Sequence, residues 1–206
     1  MAISPDSLLG RLTHATVRNG ELVWIGVRPG RREALRPISS ALFVAGRGIE
    51  GDHYASADGR RQVTLIAAED LVAIASFLGE AAVAPERLRR NLVTSGINLV
   101  ALKGRRFRVG RVLLEGTGDC APCSRMEEEF GSGGYNAVRG HGGLTALVLE
   151  GGEVHVGDRI LPIARSLERP IMVVRPIPLE DCASLILWRY SPGLGTFSFM
   201  KLCELL

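Results

Sequence analysis

Apolar and polar positions alternate with a period near two along much of the chain, in short runs separated by glycine, and this is the signature of half-buried strands. Ala15-Thr16-Val17-Arg18 and Glu21-Leu22-Val23-Trp24-Ile25 flank Asn19-Gly20, a pair that tolerates the positive φ angles of a tight turn, so an opening β-hairpin is expected. An Arg- and Gly-rich loop runs on to Arg36-Pro37, followed by a short apolar stretch, Ala41 to Ala45, and a glycine-rich turn, Gly46 to His53. Gln62 to Ile66 reads as a buried strand. From Ala67 to Leu78 the period changes, with Leu71, Ile74, Ala75 and Leu78 on one face, and Glu69 and Asp70 stand where a helix dipole favours acids. Pro85 opens a second short helix over Glu86 to Arg90. Arg106 to Val109 and Arg111 to Leu114 pair around Gly110, and a further hairpin is expected from Thr145 to Leu149 and Glu153 to Val156 around Gly151-Gly152. His14 and His155 fall within strand patterns and read as ordinary positions. The pattern predicts a mainly β protein with a few helices (α+β), a barrel or sandwich with helices at its edge.

Patterning stops near Ile160. Beyond Arg169 the prolines at 170, 176, 178 and 192 break the apolar runs, so residues 12–160 are read as one domain and 161–206 as an extension of open role. A chain of 206 residues, 46% hydrophobic and 23% charged, can bury a core without disulfides or metals, which excludes disorder and a disulfide scaffold as classes. No apolar run approaches the ~20 residues of a membrane span, and no signal-peptide pattern opens the chain, so the expectation is a cytoplasmic protein without membrane partners.

The net charge of +3 does not point to a nucleic-acid partner. Its make-up is more informative: of the 25 cations only Lys103 and Lys201 are lysines. Guanidinium forks suit phosphate and carboxylate, and any Schiff-base chemistry would have to use one of those two lysines.

Three segments could carry chemistry. Glu115 to Glu127 contains Cys120-Ala121-Pro122-Cys123 between a strand and a helix-prone acidic run, with Arg125 adjacent, a setting that favours thiolate. A thioredoxin-like pair would need a βαβ context, which is missing. A zinc site would need ligands from afar, such as His53 or His141, and would make an interaction module. A buried structural pair and a metal-binding or persulfide-carrying thiolate complete the alternatives. Arg87 to Gly96 sets three guanidiniums on one turn ahead of Asn91, Thr94 and Ser95, the donor inventory of a phosphate site or of a solvated basic face. Arg139-Gly140-His141-Gly142-Gly143 lets the backbone approach closely, with His141 free to ligate, shuttle a proton or cap a turn. Cys182 and Cys203 are expected as buried apolar residues.

Six ordered stretches resemble MOSC domains, named for the carboxy-terminal domain of molybdenum cofactor sulfurases. They are Gly48 to Asp52, Arg61 to Leu65, Arg89 to Gly96, Cys120 to Met126, Arg139 to Gly143 and Gly151 to Asp158. The resemblance implies a closed, β-barrel-like domain with peripheral helices, holding molybdenum cofactor (molybdopterin) or sulfur destined for it. It implies Cys123 as the metal-ligating or sulfur-carrying residue, and Arg89, Arg90, Asn91, Thr94 and Ser95 as the holders of the pterin phosphate. A Lys-Ser pair of the amidoxime-reducing relatives aligns with Ser39-Ser40, so Ser40 is retained and the lysine is absent. Asp52 is expected to orient a donor or order its turn, and His141 to join the cofactor-binding set.

The function expected on this basis is a small molybdoenzyme that reduces N-hydroxylated small molecules with electrons from an external donor protein. The alternative is a sulfur carrier or cofactor-delivery protein, with a persulfide on Cys123, Cys120 as the resolving thiol and a cysteine desulfurase as partner. In that case any pyridoxal phosphate belongs to the partner.

Overall fold

A computed structural model describes residues 7–15, 18–54, 59–163, 186–191 and 196–201, the last two stretches as backbone. The chain divides into two units, Met1–Ala164 and Arg165–Leu206. The first contains, in order, α1 (Leu8–His14), β1 (Gly20–Val27), β2 (Arg36–Ile38), β3 (Ser40–Val44), β4 (Gly48–Ile49), β5 (Val63–Ala67), α2 (Ala68–Leu78), α3 (Pro85–Leu88), β6 (Leu92–Ser95), β7 (Arg106–Val109), β8 (Val112–Asp119), α4 (Arg125–Phe130), α5 (Gly134–Val138), β9 (Leu144–Glu150), β10 (Gly152–His155) and β11 (Arg159–Pro162). The second holds an antiparallel pair, β12 (Ile186–Ser191) and β13 (Thr196–Lys201), in register from Ile186↔Lys201 to Ser191↔Thr196. Cys182 and Cys203 lie outside the described residues. No helix among them is long and apolar enough to cross a membrane.

The main sheet closes on itself. Its order is β11-β7-β8-β9-β5-β6-β1, β1 pairs back to β11 through Gly20↔Ile160, and β2 hangs on the far part of β1. The result is a seven-stranded barrel, mainly β with helices outside it. β5 and β6 run parallel, in register Leu65↔Leu92, so the chain must cross over between them, and α2 and α3 make that crossing on the outer face. Strand periodicity sorts the side chains on either side of the wall: Val63, Leu65 and Leu92 enter the barrel core, whereas Ile66 and Val93 pack outward with Ile74, Leu88, Met126 and Val138. A smaller sheet, β10-β3-β4, adds Phe43 and Val154 to the inner core. α2 ends at Gly79 in the left-handed region, with Glu80 N–H bonding Ala75 O and Gly79 N–H bonding Ser76 O, the double-bonded glycine stop of a helix.

The β7–β8 pair turns at Gly110 as its pattern predicts, with Val109↔Val112 in register. Neither of the other expected hairpins is found among the described residues, and Thr16 and Val17 of the first lie outside them. Gly20 opens β1, and His14 ends α1 instead of sitting in a strand. The edges of β1 are taken by β6 on one side and by β11 and β2 on the other. Likewise β9 is flanked by β8 and β5, so after Gly151 the chain leaves the barrel and β10 pairs with β3, Gly152 opposite Phe43. Barrel closure leaves no free edge for a local hairpin in either place. The second helix is shorter than the expected Glu86 to Arg90: it stops at Leu88, and Arg89 takes a left-handed conformation, φ 59°.

The core is continuous, with Phe107, Leu114, Leu22 and Leu65 fully buried inside the barrel. Phe107→Ala is expected to destabilise the protein by about 3–5 kcal/mol, whereas Val72→Ala, on the exposed face of α2, stays within about 0.5 kcal/mol of the parent. Urea unfolding midpoints measured on both variants check this.

Candidate functional site: two cavities across a cysteine loop

Strand register brings the chemistry-bearing loops together. β8 and β9 pair Asp119 with Leu144, so the loop that begins at Cys120 starts beside the glycine loop that ends at Gly143. The two are joined by Cys120 N–H to Gly143 O at 2.8 Å. Their contact leaves no room for side chains, since a Cβ at Gly142 would overlap Cys120 O and one at Gly143 would overlap Leu65 O. β1 pairs Ile25 with Leu92, which sets the residues after β1 beside those before β6, hence Arg28 near Asn91.

Arg90 locks these parts. It is buried, and its Nε donates to Gly142 O (2.7 Å), Nη1 to Leu88 O (2.9 Å) and Nη2 to Cys120 O (3.1 Å), so one guanidinium ties the end of α3, the glycine loop and the cysteine loop. Burial holds its pKa below the usual arginine value, opposed by the neighbouring Cys120 and Cys123 thiols and assisted by Arg61.

A polar network lies behind. Buried Asp52 accepts the backbone N–H of Arg28 and of Tyr54 and the Nδ2 of Asn91, each at 2.9 Å. Asn91 Oδ1 accepts Thr64 N–H (3.2 Å) and the Thr64 hydroxyl (2.8 Å), and Nδ2 also reaches Gly26 O (3.3 Å). All four hydrogen-bonding positions of that amide are therefore used inside the protein. Asp52 orders its turn and carries Arg28 with it.

These residues frame a cavity of about 280 Å³. Its wall includes seven arginines, Arg28, Arg31, Arg32, Arg61, Arg89, Arg90 and Arg125, with Asn91, Tyr54, Cys120 and Cys123, and among the described residues no carboxylate. Cys123 is exposed there and Cys120 is buried. Arg28 is only 5% exposed and lies over the Tyr54 ring, 5.1 Å from its centroid, and its Nε has no hydrogen-bond partner among the described residues. A buried, unpaired guanidinium N–H is costly, and an anion in the cavity would satisfy it. Arg89 has its pKa lowered by burial and then by the charges of Arg28 and Arg125, with Cys123 opposing. Arg32 and Arg89 both hold positive φ, 72° and 59°, at a cost of about 1–2 kcal/mol each in a conformation that suits glycine.

The expected phosphate segment is thus divided. Arg89, Arg90 and Asn91 line the cavity. Arg87 does not share their face: it bonds Glu80 and Glu129, which raise its pKa, and stacks 4.3 Å from the Phe130 ring centroid. Thr94 is fully buried, its hydroxyl on Ile66 O, and neither it nor Ser95 nor Ser40 on β3 lines the arginine cavity or the larger one beyond the cysteine loop. His141 lines that larger cavity, of about 860 Å³, which shares Cys120 and Ala121 as a common wall. Among the described residues no three His, Cys, Asp or Glu side chains converge on a metal position, so a zinc site finds no ligand set there. Reading by segment missed Arg28, Arg31 and Arg32, and gave Arg61 no role although it opens one of the six resembling stretches. The signal for the first three was a second arginine cluster at 28–32, comparable with that at 87–90.

A MOSC domain profile matches residues 49–161. No curated protein sequence matches the chain. Among solved structures it is similar to YuaD from Bacillus subtilis, with 21% identity and a TM-score of 0.64 over 71% of this chain and 97% of that one. It is also similar to YiiM from Escherichia coli (20% identity, TM-score 0.56, 70% of each chain) and to YiiM from Geobacillus stearothermophilus (17%, 0.58, 72% of this chain and 77% of that one). At such identities the likeness concerns the fold. The profile match runs from β4 to the closing strand of the barrel and takes in both cysteines and the Arg90 clamp, over half of the chain: this protein belongs to the MOSC domain family.

Proposed function

We propose that the arginine cavity binds molybdenum cofactor and that the protein is a small molybdoenzyme reducing N-hydroxylated compounds, with electrons from an external donor protein in the cytoplasm. The observation that carries this reading is one exposed thiol, Cys123, on a cavity where the described residues supply seven arginines and no carboxylate and give the buried Arg28 Nε no partner. The donor set suits such a group. A single thiol cannot hold a bare soft metal, but it can complete the shell of one that arrives already bound to sulfur ligands of its own. The arginines suit the anionic end of that ligand.

In this reading Arg28 and Arg89 hold the anion, and Arg90 and Asn91 fix the wall. Asp52 positions Arg28 through its backbone, and Cys123 supplies the protein's ligand to molybdenum. The bound cofactor supplies the two-electron chemistry at the N–O bond. The left-handed Arg89 supports the assignment, because strain at a residue that faces a ligand is tolerated where the side chain is needed there.

Protein made in a host that synthesises the cofactor is expected to carry molybdenum and pterin in amounts equal to the chain, and Cys123→Ala to lose the metal; elemental and pterin analysis decides. Pterin-free parent protein bearing a reducible sulfur adduct on Cys123 would replace this reading with the sulfur-carrier one. On cofactor-free protein, inorganic pyrophosphate is expected to bind, and Arg28→Gln to weaken it about 10- to 100-fold by calorimetry, as for a hydrogen bond to a charged group. Arg89→Gly is expected to raise stability by about 1 kcal/mol in urea unfolding while weakening pyrophosphate, which separates the strain of that position from its use.

A further inference from the structure

A groove of about 370 Å³ adjoins the arginine cavity, formed by α3, α4 and residues 32–34. Three of its arginines, Arg32, Arg89 and Arg125, line the arginine cavity as well. The described residues also give the groove four carboxylates, of two kinds. Glu129 is paired with Arg87 and Glu33 with Arg36. Glu86, which is half-buried, and Glu128 have no ion pair among the described residues, and neither have the three shared arginines. One spacing recurs on both helices. Glu86 on α3 is followed three positions on by Arg89, whose N–H meets Glu86 O at 3.1 Å, and Arg125 on α4 is followed three positions on by Glu128. Residues three apart on a helix are neighbours, so either pair had a partner within reach, yet neither closes into a salt bridge. The arginines stand instead at the boundary with the arginine cavity, two of them on left-handed backbone, while Glu86 and Glu128 line the groove alone.

We propose that the groove and the arginine cavity form one site for a guanine nucleoside diphosphate, with its phosphates on Arg32, Arg89 and Arg125 and the edge of its base on Glu86 and Glu128. The joint site is polarised, cationic at one end and acceptor-rich at the other, and it fits a ligand with an anion at one end and N–H donors at the other. Guanine offers a carboxylate two donors side by side, its N1–H and its 2-amino group. Adenine offers one donor there and sets the lone pair of its N1 against the second oxygen, so the same carboxylates disfavour it. The arginine cavity, at about 280 Å³, is smaller than the ~300–1,000 Å³ usual for small-molecule sites, and the groove brings the joint site into that range. The proposal rests on the arginine cavity being an anion site and goes beyond the cofactor reading, since nucleotide binding requires no molybdenum.

The test is calorimetry on the cofactor-free full chain with GDP, ADP and inorganic pyrophosphate. GDP is expected to bind about tenfold more tightly than either of the others, as for a hydrogen bond to a charged group. Glu86→Gln combined with Glu128→Gln is expected to abolish the preference for GDP over ADP while pyrophosphate binds no more weakly than to the parent. Arg28→Gln is expected to weaken all three. Guanosine phosphate released on denaturing protein from a cofactor-synthesising host identifies the source: in amounts equal to pterin it is the far end of the cofactor's own anion, and without pterin it is a separate ligand. The proposal is overturned if GDP binds no better than pyrophosphate, if ADP matches GDP, or if the double variant keeps the preference. Pyrophosphate that fails to bind removes the anion site and this proposal with it, whereas protein without molybdenum counts against the cofactor reading alone.

Discussion

Everything at the barrel's functional face depends on one buried cation. Arg90 donates to three carbonyls from three separate segments, and without it the cysteine loop, the glycine loop and the end of α3 would share no common partner. Taking a guanidinium out of water is expensive, and the cost is offset here because three of its N–H groups meet carbonyl oxygens at good distance. Lysine could not serve. It has one nitrogen to offer where the clamp needs three, spread in a plane. The arrangement also explains why Gly142 and Gly143 lie against Cys120 and Leu65: the loops must approach to backbone contact before one side chain can span them.

Asp52 and Asn91 do comparable work on the other side of the arginine cavity, but for position more than for charge. The carboxylate is satisfied by two backbone N–H groups and one amide, and among the described residues none of its bonds goes to a guanidinium. That matters for the cavity's electrostatics. An ion pair with Arg28 would quench the field that an anion would meet, whereas a carboxylate bound to the Arg28 backbone fixes the residue and leaves its Nε without a partner among the described residues. Seven cations on one wall repel one another, and burial depresses the arginine pKa values at 89 and 90, so the wall favours negative charge. An anion bound there would relieve the repulsion and meet the Arg28 Nε, and by mass action would stabilise the fold that creates the site.

Much of this was legible in the sequence where local pattern and tertiary demand agree. The β5–α2 change of period, the β7–β8 turn at Gly110 and the cysteine loop between a strand and a short helix all follow from nearby residues. The two hairpins not found among the described residues do not, because Asn19-Gly20 and Gly151-Gly152 carry the right turn chemistry while closure of the barrel has already claimed both edges of β1 and β9. The site was half legible for the same reason. Arg89 and Cys123 stand in recognisable segments, but Arg28 reaches the cavity through the pairing of β1 with β6, and Asp70 meets His141 across seventy-one positions. Arg87, Arg89 and Arg90 look equivalent in sequence, yet the left-handed turn at Arg89 sends them to a surface ion pair, a cavity wall and a buried clamp.

Cys120 and Ala121 are the residues common to both cavities, which makes the cysteine loop a wall that both share. The loop is short and held at Cys120 by the Gly143 carbonyl and by Arg90, so a shift caused from one side must be transmitted to the other or absorbed by those bonds.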